Sequence, residues 1–220
     1  MAGGPGGDSY VFDHAGDVIA LEIGFMAGGG VDAIESWVSL ILPPNVEFLV
    51  LEGGEDLNGT GRDAGSDGLV GNSGDNMLDG LGGDDGLNGW EGNDTLLGGG
   101  GRDWLSGGEG ADLFVFRTTS ESSAVDDNCD VIDGFEHGLD VIHLSNVDAN
   151  TLVSGDQAFW YIGSSAFSGL GAGSAGEMRG YNWNGGNFIV LEMDTNGDAR
   201  ADMRIFVSGT STMSAGDFIL

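Results

Sequence analysis

The sequence predicts an all-β solenoid wound on nine-residue repeats. Three features carry that prediction: glycine at two fixed positions, a carboxylate at a third, and a large apolar side chain at a fourth. From Gly71 the chain reads "GNSGDNMLD", "GLGGDDGLN", "GWEGNDTLL", "GGGGRDWLS" and "GGEGADLFV". Position 1 is Gly71, Gly80, Gly89, Gly98 and Gly107, and position 4 is Gly74, Gly83, Gly92, Gly101 and Gly110. Position 6 is Asn76, then Asp85, Asp94, Asp103 and Asp112. Position 8 is Leu78, Leu87, Leu96, Leu105 and Phe114. A weaker copy, "RDAGSDGLV" (62–70), keeps Gly65, Asp67 and Leu69 in register, and an isolated copy, "GGPGGDSYV" (3–11), opens the chain. A flexible glycine linker would fix no apolar position.

Each part of the repeat has a physical task. The last three residues form a short strand whose middle side chain points to one face. The first six turn the chain, and glycine takes left-handed dihedrals there without steric penalty. Two repeats then close one coil of 18 residues, with a strand on each side and apolar side chains meeting in a thin core. Residues 18 apart stack about 4.8 Å apart. Asp67 falls over Asp85, Asn76 over Asp94, Asp85 over Asp103, and Asp94 over Asp112. Bare carboxylates about 5 Å apart repel by about 3 kcal/mol at an effective dielectric of 20. One leucine per repeat returns only about 1.5–3 kcal/mol, against about 1–2 kcal/mol of backbone entropy for every residue ordered. The array therefore needs counter-ions to fold.

Composition narrows the ion. The chain has 44 Gly among 220 residues, 36 Asp plus Glu against 6 Arg, no Lys, and a net charge of −30. That balance excludes a nucleic-acid partner, whose phosphates need basic residues, and an anionic membrane surface. Stacked carboxylates and turn carbonyls form the oxygen-only set that calcium takes at six to eight ligands. Zinc wants His or Cys, and the array has neither. Magnesium keeps its waters and fits such a cage poorly.

The register G-G-x-G-x-D-x-U-x, with U large and apolar, resembles the calcium-binding nonapeptide of the RTX family. The resemblance implies a right-handed parallel β-roll, in which turns on the same side of successive coils share each ion. Carried over by position, the ligand turns are those of Asp67, Gly71, Gly74, Asn76, Gly80, Gly83, Asp85, Gly89, Gly92, Asp94, Gly98, Gly101, Asp103, Gly107, Gly110 and Asp112. That gives about four calcium sites, with the Asn76–Asp94 site the weaker. Position 2 departs from glycine at Asn72, Leu81 and Trp90. A carbonyl still serves there, but any left-handed requirement would be violated.

Flanking segments extend the picture. "DVIALEI" (17–23), "VDAIESWVSLIL" (31–42) and "NVEFLVLEG" (45–53) read as strands and resemble the spacer coils beside RTX repeats. "DVIDGFEHGLDVIHLS" (130–145) resembles the segment that follows the repeats in serralysin-type proteases. Its Asp130 and Asp140 are expected to cap the last turns and bind a further ion. "NFIVLEMDTNGDARADMRIFVSG" (187–209) reads as a hairpin, forming an antiparallel β cap. Its loop opens like an EF-hand at Asp194, Asn196 and Asp198, but Ala199 and Ile205 replace the required Gly and Glu, so a polar turn is preferred. The expected division is 1–61 isolated repeat and spacer coils, 62–116 calcium-binding roll, and 117–220 serralysin-like cap.

Export follows from the resemblance. The last residues, Asp217 to Leu220 ("DFIL"), resemble the terminal signal of serralysins and related lipases passed through type I secretion machinery. Residues 1–10 show no cleavable signal peptide, and no apolar run is long enough for a membrane span. The expectation is a secreted, extracellular module, the C-terminal part of an exoenzyme whose catalytic or adhesive part lies upstream. Cys129 alone forms no internal disulfide. No catalytic residue is expected. His137 and His143 lack H-E-x-x-H spacing, and no G-x-S-x-G elbow exists. Two alternatives stand beside this reading: a polysaccharide-binding or matrix module using Trp90, Trp104 and Trp183, and a hydrolase or lyase within 117–220.

Overall fold

Position 8 builds the core. Leu69, Leu87 and Leu105 stack in register in one parallel sheet, and Leu78, Leu96 and Phe114 in the other, each at most 1% exposed. Alternation puts their neighbours outside, where Met77 and Trp104 are exposed. Each buried leucine contributes about 1.5–3 kcal/mol. The computed structural model describes residues 6–14, 30–125, 128–173, 175–183 and 188–220.

The first sheet contains β1 (Ser9–Phe12), β2 (Ala33–Ser36), β4 (Phe48–Leu51), β6 (Gly68–Val70), β8 (Gly86–Glu91), β10 (Trp104–Glu109) and β12 (Asp130–Asp133), parallel and in that order. The second contains β3 (Leu40–Ile41), β5 (Asn58–Thr60), β7 (Met77–Asp79), β9 (Thr95–Leu97), β11 (Leu113–Val115) and β13 (Val141–His143), also parallel. The segments 31–42 and 45–53 thus pair as coils of the same roll. The expected strand at 17–23 lies outside the described residues. Gly59 takes the inward position between Leu40 and Leu78, because Leu49 and Leu51 fill the space its side chain would occupy.

Neither sheet is interrupted at Phe116. β12 and β13 add another coil, with Ile132 on Leu105 and Ile142 on Phe114. The chain then leaves the roll and returns. β17 (Met203–Ser208) pairs parallel with β12, and β18 (Phe218–Ile219) pairs parallel with β13. β16 (Phe188–Asp194) and β15 (Glu177–Asn182) continue the first sheet antiparallel beyond β17, and β14 (Trp160–Tyr161) closes its edge. On this cap Glu192 is buried between Arg179 and Arg204, 2.5 Å from each. The fold is an all-β parallel roll with an antiparallel cap. No helix among the described residues is long and apolar enough to cross a membrane.

Candidate metal centre

The turns are set by glycine at position 4. Gly83, Gly92, Gly101 and Gly110 have φ between +114° and +140°, and a Cβ on any of them would strike the carbonyl of the position-4 residue one coil earlier. From the second repeat on, position 2 is also left-handed, with φ of +69° at Leu81, +84° at Trp90, +94° at Gly99 and +104° at Gly108, whereas Asn72 is not. Leu81 and Trp90 therefore adopt a conformation that costs an ordinary residue about 1–2 kcal/mol.

These turns aim the position-6 side chains inward along two columns. In the first, the N–H of Asp67 donates to Asp85 Oδ1 (2.8 Å), that of Asp85 to Asp103 Oδ1 (2.9 Å), and that of Asp103 to Asp130 Oδ1 (2.9 Å). In the second, Asn76 donates to Asp94 Oδ1 (2.7 Å), Asp94 to Asp112 Oδ1 (2.9 Å), and Asp112 to Asp140 Oδ1 (3.0 Å). None of these residues is more than 4% exposed. One oxygen of each carboxylate thus closes the ladder to the coil before it.

The other oxygen has no partner. Oδ2 of Asp85, Asp94, Asp103, Asp112 and Asp130 is buried without any hydrogen-bond donor. An unpaired buried charge is strongly unfavourable. Burial, with lesser contributions from neighbouring carboxylates, pushes Asp85 and Asp94 up to about 7, Asp103 and Asp112 to about 6, and Asp130 to about 8.

Position 1 shows what shares this space. A Cβ on Gly80 would lie 2.5 Å from Asp85 Oδ2 and 2.6 Å from the Gly98 carbonyl oxygen. At Gly89 the converging oxygens are Asp94 Oδ2 and the Gly107 carbonyl, while at Gly98 and Gly107 the Asp103 and Asp112 carboxylates alone crowd the spot. The carboxylate oxygen nearest each of these four glycines is the one without a hydrogen-bond donor. Among the described residues no three His, Cys, Asp or Glu side chains converge, so carbonyls must complete any coordination sphere here. This donor set fits a hard, high-coordinate cation.

Three of the expected ligands differ in their surroundings. Asp67 is engaged by Arg62, which donates its backbone N–H to Oδ2 and its side-chain Nε to Oδ1. Asn76 accepts from Asn72 N–H and donates to the Leu57 carbonyl. Asp140 Oδ2 accepts the Glu136 N–H at 2.8 Å. Asp130, by contrast, ends its column with a bare oxygen, while its own N–H is capped by Ser122 Oγ.

A second ladder lies outside the first, at position 5. Asp56 Oδ1 accepts the Asp75 N–H, Asp75 that of Asn93, Asp84 that of Arg102, and Asn93 that of Ala111. Asp or Asn at 75, 84 and 93 was the sequence signal for it, hidden because position 5 then becomes Arg102 and Ala111.

The remaining candidates lie apart. Asp194 is fully buried, and its carboxylate accepts N–H groups of Asn196, Gly197 and Ala199, so the loop's own backbone occupies it. His143 bonds Ser145, whereas His137 bonds Asp217, so the two histidines share no site. The Cys129 thiol is buried and pushed up to about 11 by burial and by Asp130. Asp217 is held well below the usual range: burial opposes this, but N–H groups of Ser214 and Gly138 and the His137 ring outweigh it.

The sequence and architecture match known proteins. The family described as peptidase M10 serralysin C terminal matches residues 53–220. The solution structure of the AlgE6R3 subunit from the Azotobacter vinelandii mannuronan C5-epimerase is 28% identical, with a TM-score of 0.51 over 81% of this chain and 86% of that one. The AlgE6R2 subunit of the same enzyme is 24% identical, with a TM-score of 0.50 over 77% of this chain and 94% of that one, and shows likeness of fold. No curated protein matches in sequence. The family match takes in the repeats, both aspartate columns and the cap, well over half of the chain, which therefore belongs to the peptidase M10 serralysin C-terminal family.

Proposed function

We propose that this chain is a calcium-binding β-roll that folds on extracellular calcium and carries a type I secretion signal at its C-terminus. The observation that carries this reading is the set of five buried, unpaired carboxylate oxygens in two columns. Calcium supplies the charge they lack. The chain's residues align the oxygens, exclude water with the leucine core, and set the spacing through the turns. In a calcium-poor cytoplasm the columns repel and the chain stays unfolded, which suits export. Outside, the ion drives folding. The module does no chemistry of its own in this reading; catalysis belongs to whatever it accompanies.

The terminal residues support the order of events. Asp217 is fully buried, Phe218 is 8% exposed, and Phe218–Ile219 pairs with β13. Folding buries Asp217 and Phe218 of this tetrapeptide, while Ile219 stays 45% exposed, so its first half is accessible only before folding. Limited proteolysis in calcium and in chelator tests the folding half, with protection expected only in calcium. Deletion of residues 217–220 tests the export half in a bacterium with a type I exporter. Loss of secreted protein is expected, and undiminished secretion would refute the signal.

A second reading has one observation in its favour. Trp104, Trp183 and Phe206, with Arg102, line an outer groove of about 300 Å³. Aromatic faces beside a guanidinium suit an acidic sugar, and the AlgE6 subunits belong to a mannuronan epimerase. Binding to an acidic polysaccharide in saturating calcium, lost in Trp104→Ala, would support a carbohydrate-contacting module.

A further inference from the structure

The two columns do not begin as they continue. At Asp85, Asp103 and Asp130 in one column, and at Asp94 and Asp112 in the other, Oδ1 holds the N–H of the coil before and Oδ2 is bare. At Asp67, the first aspartate of the repeat array, neither oxygen is bare. Arg62 donates its N–H to Oδ2 at 2.5 Å and its Nε to Oδ1 at 2.7 Å, and its Nη2 lies 2.6 Å from Oδ1. Its Nη1 reaches Glu47 Oε1 at 3.1 Å. The Asp67 side chain is fully buried, and that of Arg62 is 18% exposed. A fixed positive charge thus sits between two carboxylates.

The turn is built for this contact. Leu69 follows the inward Gly59 by ten positions, whereas Leu78 follows Leu69 by nine. The extra residue separates the glycine from its aspartate. A Cβ on Gly61 would meet Asp67 Oδ2 and the Gly80 carbonyl oxygen, the pair that Asp85 Oδ2 and the Gly98 carbonyl form beside Gly80. The oxygen cradle is therefore present at the first coil, and Arg62 is inserted beside it.

The second column begins with an amide. Asn76 Oδ1 accepts the Asn72 N–H at 2.7 Å, and its Nδ2 donates to the Leu57 carbonyl at 3.0 Å and to Asn72 Oδ1 at 2.9 Å. Asn72 Nδ2 in turn donates to the carbonyls of Glu52 and Glu55. Oxygens that would turn toward a cation are already held by N–H groups.

We propose that Arg62 and the Asn72–Asn76 pair are resident terminators of the metal columns: the guanidinium replaces the first calcium of one column, and the amides replace that of the other. The proposal rests on the calcium reading above. It places bound ions at the bare oxygens of Asp85, Asp103 and Asp130 on one side and of Asp94 and Asp112 on the other. It also gives the terminators a task. Before Asp67 the same register is held by Glu47, Asp32 and Asp8, with the Asp8 N–H on Asp32 Oδ1 and the Asp32 N–H on Glu47 Oε2, and Arg62 bridges Glu47 and Asp67 where that ladder meets the repeat array, so the junction is sealed without a shared ion.

The test is the number of calcium ions held by the full chain, read by native mass spectrometry and equilibrium dialysis at saturating calcium. Wild type is compared with Arg62→Met, Arg62→Lys and Asn76→Asp. Arg62→Met and Asn76→Asp are each expected to bind one additional ion, while Arg62→Lys keeps the wild-type count. Asn76→Asp preserves size and shape, so it decides the matter if Arg62→Met fails to fold. Counts in Arg62→Met and Asn76→Asp that equal the wild-type count or fall below it overturn the proposal. A wild-type chain that binds no calcium refutes calcium binding itself, a separate outcome.

Discussion

The backbone N–H of Asp85 donates to Oδ1 of Asp103, one coil later, at 2.9 Å, while Oδ2 of Asp103 has no donor. Asp103 is thus half ladder and half candidate ligand. The paired oxygen fixes the carboxylate's direction and leaves the other oxygen without a donor. The same division recurs at Asp85, Asp94, Asp112 and Asp130. Four consequences follow for solution behaviour.

Protons are the only other partner for those oxygens. Burial raises Asp85 and Asp94 to about 7, Asp103 and Asp112 to about 6 and Asp130 to about 8, from about 3.9 in an unfolded chain. The folded state then holds protons that the unfolded state releases, so stability falls as pH rises between these values. Calcium-free stability from these groups is full below about pH 4 and is lost as pH rises through about 6 to 8. In chelator, far-UV circular dichroism should show more β structure at about pH 5 than at about pH 8. Calcium binding should release protons and weaken as pH falls. A metal-free fold that strengthens with rising pH would contradict this.

Leu81 and Trp90 carry avoidable strain. Each has positive φ at a position filled by glycine in the next coil on its own side, Gly99 and Gly108. Leu81→Gly or Trp90→Gly removes about 1–2 kcal/mol of strain and adds about 0.5–1 kcal/mol of chain entropy loss. A net gain of about 0.5 kcal/mol is expected in calcium-saturated thermal unfolding. Gly99→Ala should be destabilising, because its Cβ would strike the Leu81 carbonyl oxygen. Equal effects from Leu81→Gly and Gly99→Ala would remove the left-handed turn from the account.

The position-1 glycines should be separable from the rest by what they hold. Gly80→Ala places a methyl 2.5 Å from Asp85 Oδ2 and 2.6 Å from the Gly98 carbonyl. It should lose calcium at that coil and raise the calcium midpoint several-fold. Gly86→Ala meets nothing within 4 Å and has no left-handed φ, so it should leave calcium binding unchanged. Isothermal titration of the two variants makes the comparison, and equal calcium affinities would count against the cradle.

Much of this was legible in the sequence, because period and chemistry coincide. The nine-residue recurrence of Leu87, Leu96 and Leu105 specifies two facing strands per coil. The recurrence of Asp85, Asp94 and Asp103 specifies two columns. Other features break the period and were hidden. The Gly61–Arg62 insertion shifts a turn by one residue, and Arg62 stands where the repeat elsewhere has glycine. Leu81 and Trp90 conceal a left-handed site, since their identity argues against it. The return of β17 onto β12 pairs Asp130 with Ile205 across a long excursion, for which no local spacing gives a signal. The position-5 ladder fades when Arg102 and Ala111 replace its acceptors.

The cap loop should be structural. Asp194 is fully buried and accepts the N–H groups of Gly197 at 2.6 Å and Ala199 at 2.9 Å. Asp194→Ala leaves those donors unmet, an expected loss of about 1–3 kcal/mol. The bound-calcium count should not change. A variant that loses an ion would instead place a metal in this loop.

Far-UV circular dichroism during a calcium titration, with magnesium as control, tests the central claim most directly. Extracellular calcium modules respond at about 10⁻⁴–10⁻³ M. At neutral pH the account predicts a cooperative coil-to-β transition in that range with calcium and none with magnesium. A chain already showing its full β spectrum in chelator at neutral pH, unchanged by calcium, would contradict it.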